Sequence, residues 1–165
     1  MVSFYFVNVT IHVLAAFVWL GGLLFLGVVG APALRRIEPA SVRAEVFQRL
    51  GKQFRPVSWI ALAVLLVTGV VNLYHRGLLN RETLGDGAFW LSPYGLALAW
   101  KLTCVAAIIA GSAVHDFVWG PAASQAEPGS PEALKFRQRA ARVGRVNAVI
   151  GVLLIIAAVR LTRGF

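Results

Sequence analysis

The sequence predicts an all-α membrane protein in which four transmembrane helices form two helical hairpins packed as one bundle. Hydrophobic residues make up 58% of the 165-residue chain and charged residues only 14%, a balance that excludes an ordinary soluble domain. Four apolar stretches, at about 4–30, 57–75, 94–119 and 146–162, are long enough to cross roughly 30 Å of hydrocarbon as helices. Basic residues, finally, are concentrated in two of the three connections.

The first span has no basic residue before it and is too long for the apolar core of a leader. Arg35 and Arg36 follow it as a stop signal, so it is expected to remain in the mature protein. It should end at the Gly30-Ala31-Pro32 breaker. The following ASVRAEVFQRLGKQF then places Val42, Val46, Phe47, Leu50 and Phe54 near one face, as in a short amphipathic helix lying at the interface. After the second span, residues 76–93 contain LGDGAFWLSPYG, a loop suited to covering one mouth of the bundle, with Trp90 and Tyr94 at headgroup level. The third span should stop at Gly120-Pro121. Ser130-Pro131-Glu132 then supplies an N-cap, a proline at N1 and a first-turn acid. A basic helix is expected to run from there directly into the fourth span, with Arg160 as an anchor at its far end.

The net charge of +9 belongs to topology rather than to nucleic acid. Arg35, Arg36, Arg43, Arg49, Lys52 and Arg55 lie between spans 1 and 2, and Lys135, Arg137, Arg139, Arg142 and Arg145 between spans 3 and 4. The middle connection has only Arg76 and Arg81, offset by Glu82 and Asp86. By the positive-inside rule both basic connections face the cytoplasm, beside anionic headgroups, and both termini face out of the cytoplasmic membrane. No DNA- or RNA-binding motif accompanies the charge. Nor does a nucleophile-and-base pattern or a phosphate loop appear, so catalysis is left open.

The two halves align without gaps at an offset of 89 residues, pairing Tyr5 with Tyr94, Gly22 with Gly111, Pro32 with Pro121, Phe47 with Phe136 and Val57 with Val146. Such a duplication would give two parallel hairpins related by an axis along the membrane normal. The same shift pairs His12 with Lys101, which sit level, each roughly 10 Å from the start of its span. On span 2, Thr68, Asn72 and His75 recur as one polar stripe. Asn8, His12 and Trp19 share a face of span 1, while Lys101, Cys104, Ile108, Gly111 and His115 form a stripe on span 3.

Ionisable groups inside a membrane usually face the bundle interior, so these stripes are expected to converge on one site. His12 is either its ligand or a neutral imidazole bonded between helices. Lys101 either lines the site or snorkels to the headgroups. His75 lies near the water interface, and Cys104 is a ligand or a small buried hydrophobe. His115 lies about 20 Å below Lys101, in a separate cluster with Asp116, Arg55, Arg145 and Asn147. The single cysteine allows no internal disulfide, and Met1 is the only thioether.

The strings IHVLAAFVWLGGLLFL, RPVSWIALAVLLVTGVVNL and SPYGLALAWKLTCVAAII resemble the copper resistance protein D domain family over roughly residues 5–118. The Thr68-Gly69 pair and PYG…KL are the more specific parts. The resemblance implies copper movement or tolerance at the cytoplasmic membrane, and a copper site of His12, His75 and Cys104 is chemically reasonable. Span 1, with a histidine followed by WxxG, and the level lysine are also similar to the small membrane haem-b proteins related to protoporphyrinogen oxidase. That second resemblance implies haem b with His12 as an axial ligand and Lys101 as a propionate anchor or catalytic group. No C-x-x-C-H occurs, so such a haem would lack thioether attachment. The expected site therefore comprises His12, Lys101 and Asn72 around a cofactor, with His75 and Cys104 as further metal ligands. The alternative is a non-catalytic assembly subunit, whose apolar faces meet lipid, another copy of the chain or a membrane partner.

Overall fold

The computed structural model describes residues 3–127 and 130–163, with side chains to residue 159. Among the described residues there is no strand, and four helices are long and apolar enough to cross a membrane. The chain is thus a multi-pass helical membrane protein. The spans are α1 (Phe4–Leu34), α2 (Ala40–His75), α5 (Pro93–Gln125) and α6 (Pro131–Arg163). Two five-residue helices, α3 (Arg81–Gly85) and α4 (Gly87–Leu91), form the connection between α2 and α5.

Three helix boundaries differ from expectation. Neither Gly30-Ala31-Pro32 nor Gly120-Pro121 ends its helix, because a π-helical turn precedes each proline, at Phe25–Gly30 and at His115–Trp119. The Ala31 and Gly120 amides bond five residues back, to the Leu26 and His115 carbonyls. The widened turn makes room for the proline ring, which in a regular helix would crowd the carbonyl four residues earlier. The segment 40–55 is likewise not a separate interfacial helix. It is the first part of the 36-residue α2, which runs through Pro56 and extends about 54 Å, well beyond the hydrocarbon thickness. The fourth span begins as expected: the Ser130 hydroxyl accepts from the Ala133 amide at 3.2 Å, and the helix continues unbroken from the basic segment. The Arg160 side chain, expected to anchor the far end, lies outside the described residues, as does Met1.

The helices close into a ring. α1 packs on α2, α5 on α6 and α1 on α6, while Trp59 bonds to Asp116 between α2 and α5. Trp19, Leu20, Ala61, Leu62 and Ile108 form the buried centre, flanked by Leu23, Trp59, Leu65, Ile150 and Leu154. Outward residues such as Phe17, Ile60 and Val67 are each at least 65% exposed, as helices facing lipid require. Lipid is itself apolar, so such surfaces contribute little to helix association; close packing and polar bonds must do so.

The 89-residue offset reappears in the fold. α1 and α5 begin at corresponding positions, their π turns correspond, and α2 corresponds to α6. Packing follows the same register. A Cβ on Gly22 would fall within the Phe54 ring, and one on Gly111 would meet Val143 and Asn147; Phe54 and Val143 are themselves equivalent positions. Trp19 and Ile108, also equivalent, are both buried.

Between the halves, a Cβ at Gly151 would lie 2.7 Å from Leu20 Cδ1 and 3.0 Å from Trp19 Cζ3, whereas one at Gly144 would meet open space. Gly151→Leu should therefore destabilise the bundle by about 1–3 kcal/mol through overpacking. Gly144→Ala should leave stability unchanged or raise it by up to about 1 kcal/mol. Denaturant titration of the two detergent-solubilised variants measures the contrast.

Candidate functional site

Polar side chains converge between α1 and α2 in the half of the bundle that contains the start of α1 and the end of α2. Asn8 is buried, and its Nδ2 donates to the Thr68 carbonyl at 3.0 Å and to Asn72 Oδ1 at 2.9 Å. One turn along, His12 Nδ1 lies 2.7 Å from Thr68 Oγ1. Thr68 Oγ1 is also 2.6 Å from the Val64 carbonyl, with the Leu65 carbonyl at 3.4 Å.

Those contacts select a tautomer. A hydroxyl has one hydrogen, and the Val64 carbonyl can only accept, so the Thr68 proton points there. His12 must then donate from Nδ1, which leaves the Nε2 lone pair uncommitted. Metal-binding histidines are commonly organised in this way, with one ring nitrogen donating to a fixed acceptor and the other directed to the ligand. Gly69 lies beside the ring: a Cβ there would make ordinary van der Waals contact with His12 Cε1 at 3.6 Å. Of the Thr68-Gly69 pair, Thr68 is thus the residue that orients the imidazole, through its hydroxyl.

Lys101 faces the same region from α5. It is the charge acting on His12, and Arg76 in turn is the charge acting on Lys101. Arg76 sits at the mouth, just past α2, where Nη1 donates to the Tyr94 hydroxyl at 3.3 Å. Tyr5 and Tyr94 together hold its guanidinium above its ordinary range, Tyr5 contributing most. Tyr5 and Tyr94 are the paired tyrosines of the internal repeat, so Arg76 links the two halves at their equivalent ends.

The SPYG string explains how Tyr94 is placed. Ser92 Oγ accepts from the Gly95 amide at 3.1 Å, and Pro93 occupies the first turn. A Cβ on Gly95 would overlap the Phe89 carbonyl oxygen. Only glycine lets α4 fold down onto the start of α5, where Phe89 packs against Trp90 and Tyr94.

The expected ligand set does not come together as one metal centre. Among the described residues no group of three His, Cys, Asp or Glu side chains is placed to hold a metal. His75 is exposed and packs against Phe4, Tyr5 and Tyr74. It lies seven residues beyond Thr68, roughly 10 Å along α2. Cys104 is buried, about one helical turn beyond Lys101. His12 and Asn72 are linked through Thr68 and Asn8, and Lys101 on α5 is the charge that acts on His12. Arg76 read as an ordinary loop charge in the sequence, although the Tyr5–Tyr94 pairing was a signal of what it joins.

The second expected cluster is partly rearranged. His115 Nδ1 bonds to Asp116 Oδ1 at 2.7 Å, and Trp59 Nε1 donates to Asp116 Oδ2 at 2.8 Å. Arg55 lies 4.5 Å over the Phe117 ring. Asn147 is not part of this group. Its Nδ2 donates instead to Ser112 Oγ at 3.1 Å and toward the Ile108 carbonyl at 3.4 Å, tying α6 to α5. Arg145 is exposed and turns back to the Ala141 carbonyl. Asp116 lies within the π turn, so its direction depends on a helical register that sequence periodicity does not reveal.

These features define an integral membrane four-helix bundle with an organised imidazole at one end. The family model for copper resistance protein D matches residues 48–161, and the chain belongs to that family. Membership links this membrane protein to copper resistance. The matched region begins within α2 and includes α6; it excludes α1, where part of the resemblance was read, and extends beyond residue 118. A protein of Aquifex aeolicus (strain VF5), described as an uncharacterized protein, is 32% identical over 156 residues, covering 94% of this chain and 93% of its own. No solved structure matches the chain.

Thr68→Val keeps the side-chain shape and removes the acceptor for His12. If His12 is a metal ligand, copper affinity should fall about 10–100-fold in Thr68→Val, whereas Thr68→Ser should retain most of it. Copper titration of the three detergent-solubilised proteins checks the difference.

Proposed function

We propose that this protein handles copper at the cytoplasmic membrane, taking it up or conferring tolerance, with His12 as the principal contact for the ion. The observation that carries the reading is the bond from His12 Nδ1 to Thr68 Oγ1, which leaves Nε2 available in a polar region of the bundle. Copper is the cargo here. Imidazole accepts it in either oxidation state, and a chain with a single cysteine and no internal methionine has few soft donors with which to retain Cu(I). One organised nitrogen suits passage better than storage. His75 toward the mouth and Cys104 deeper on α5 are the next candidates for successive contacts with a moving ion.

In this reading the His12 half faces outward, as do both termini, and the basic ends of α2 and α6 meet anionic cytoplasmic headgroups. The outward apolar faces are covered by lipid, a second copy or a membrane partner.

Metal analysis and the visible spectrum of protein purified in detergent test the proposal. The wild type should bind copper, and His12→Ala should lose at least about tenfold in affinity, the scale of a lost ligand or its supporting bond. Equal copper binding by both proteins would overturn the assignment to His12. A Soret band that disappears in His12→Ala would replace copper by haem b, with His12 as its axial ligand and Lys101 beside a propionate. Neither copper nor haem in the wild type would leave an assembly subunit.

A further inference from the structure

An open groove of about 250 Å³ lies between α1 and α2, lined by Gly22, Phe25 and Leu26 from one helix and by Leu50, Gln53 and Phe54 from the other. Phe25 is roughly 30 Å along α1 from its start, the thickness of the hydrocarbon. The groove therefore sits where acyl chains give way to headgroups on the side of the basic connections. Local packing explains why it exists. The Phe54 ring lies against Gly22, while Phe25 and Leu26 begin the π turn that widens α1 at this level.

Polarity changes in a fixed order along α2. Gln53 is the one polar side chain in the lining; it is exposed and has no hydrogen bond among the described residues. One turn nearer the start of α2 is Arg49, and Lys52 adjoins Gln53 in the chain; both are exposed. Arg49 Nη2 meets Glu45 at 2.7 Å, a surface pair of little strength that leaves further guanidinium donors. Lys52 has no ion pair among the described residues, and the other acid of this connection, Glu38, is taken by Arg43 at 3.1 Å. Apolar lining, then an amide, then cations is the order of acyl chain, ester carbonyl and phosphate in a phospholipid. A second copy of the chain suits the groove less well, because pairing there would set one basic segment against another in a protein of net charge +9.

We propose that this groove binds one anionic phospholipid. A stretch of acyl chain lies against Phe25, Leu26, Leu50 and Phe54, the Gln53 amide donates to an ester carbonyl, and Arg49 and Lys52 meet a phosphate whose charge is not cancelled within its own headgroup. The lipid fills the space beside the Gly22–Phe54 contact and braces α1 against α2. The site lies beyond the Trp19 core from His12 and does not depend on the copper reading; the cytoplasmic placement of the basic connections decides only which leaflet supplies the lipid.

The test uses metal-free full-length protein in a non-ionic detergent, titrated with dioleoylphosphatidylglycerol or dioleoylphosphatidylcholine, with bound lipids counted by native mass spectrometry. The wild type should hold one phosphatidylglycerol at least about tenfold more tightly than phosphatidylcholine, since each basic residue near an anionic headgroup is worth about fivefold. Arg49→Gln combined with Lys52→Gln should abolish most of that preference. Arg139→Gln combined with Arg142→Gln, the same charge change on α6, should retain it. Leu50→Trp, which fills the groove, should weaken phosphatidylglycerol binding at least about fivefold through lost chain contacts. Leu153→Trp, in a separate apolar groove beside Leu24, should match the wild type. Gel filtration and unfolding midpoints establish that each variant is folded. Equal affinity for the two lipids, equal loss in the α6 double variant, unchanged binding in folded Leu50→Trp, or a dimer that excludes lipid would overturn the proposal.

Discussion

Two bonds from one amide group, Asn8 Nδ2 to the Thr68 carbonyl and to Asn72 Oδ1, organise the end of the bundle on which function depends. In a bilayer, apolar side chains gain little by leaving lipid for another helix, so close packing and polar contacts between helices must carry their association. Asn8 sets the register of α1 against α2. That register brings His12 opposite Thr68, where the hydroxyl's single proton is already directed to the Val64 carbonyl. The orientation of the imidazole thus follows from packing two helices, without a carboxylate to hold it.

At the opposite end, a π turn in α5 carries Asp116, which joins His115 on its own helix to Trp59 on α2. Asn147 supplies the tie between α5 and α6. Each hairpin therefore has one asparagine bonded across its helices, and the α2–α5 contact has the Asp116 bond. Close glycine contacts lie at equivalent positions in both halves. The polar bonds do not follow that equivalence: Asn8 and Asn147 occupy different places in the repeat. The repeat describes a shared scaffold, and the divergence between halves falls on the side chains that carry chemistry. His12 in one half and Lys101 in the other are the clearest case, an available lone pair set against a positive charge.

The charge pattern gives that end its character. Fixed cations at the mouth and a single imidazole below them differ from the dense soft-donor set expected where copper is held tightly. A family linked to copper resistance and a cationic mouth are compatible if the ion is passed along rather than stored. The short helices α3 and α4 and the Ser92-Pro93-Tyr94-Gly95 turn matter because they position Tyr94 against Arg76 at this mouth.

Four spans, their order and the concentration of basic charge between alternate pairs were legible in the sequence, because the constraints behind them are compositional: hydrocarbon thickness sets length, and charge is excluded from it. The polar stripes were legible too, since helical periodicity alone puts Asn8 with His12 and Thr68 with Asn72. The prolines do not end their helices as the sequence suggests, because a π turn alters the local hydrogen-bond register without a composition signal, and α2 likewise continues through Pro56. Whether His12, His75 and Cys104 form one group is a question of distance between helices, and among the described residues no three His, Cys, Asp or Glu side chains are placed to hold a metal. The sequence by itself determined that this chain spans a membrane as four helices and carries titratable groups within them. Only the tertiary structure decided which of those groups face one another, because helix register and rotation are set by a few contacts, such as Asn8 with Thr68 and Gly22 with Phe54, between residues far apart in the chain.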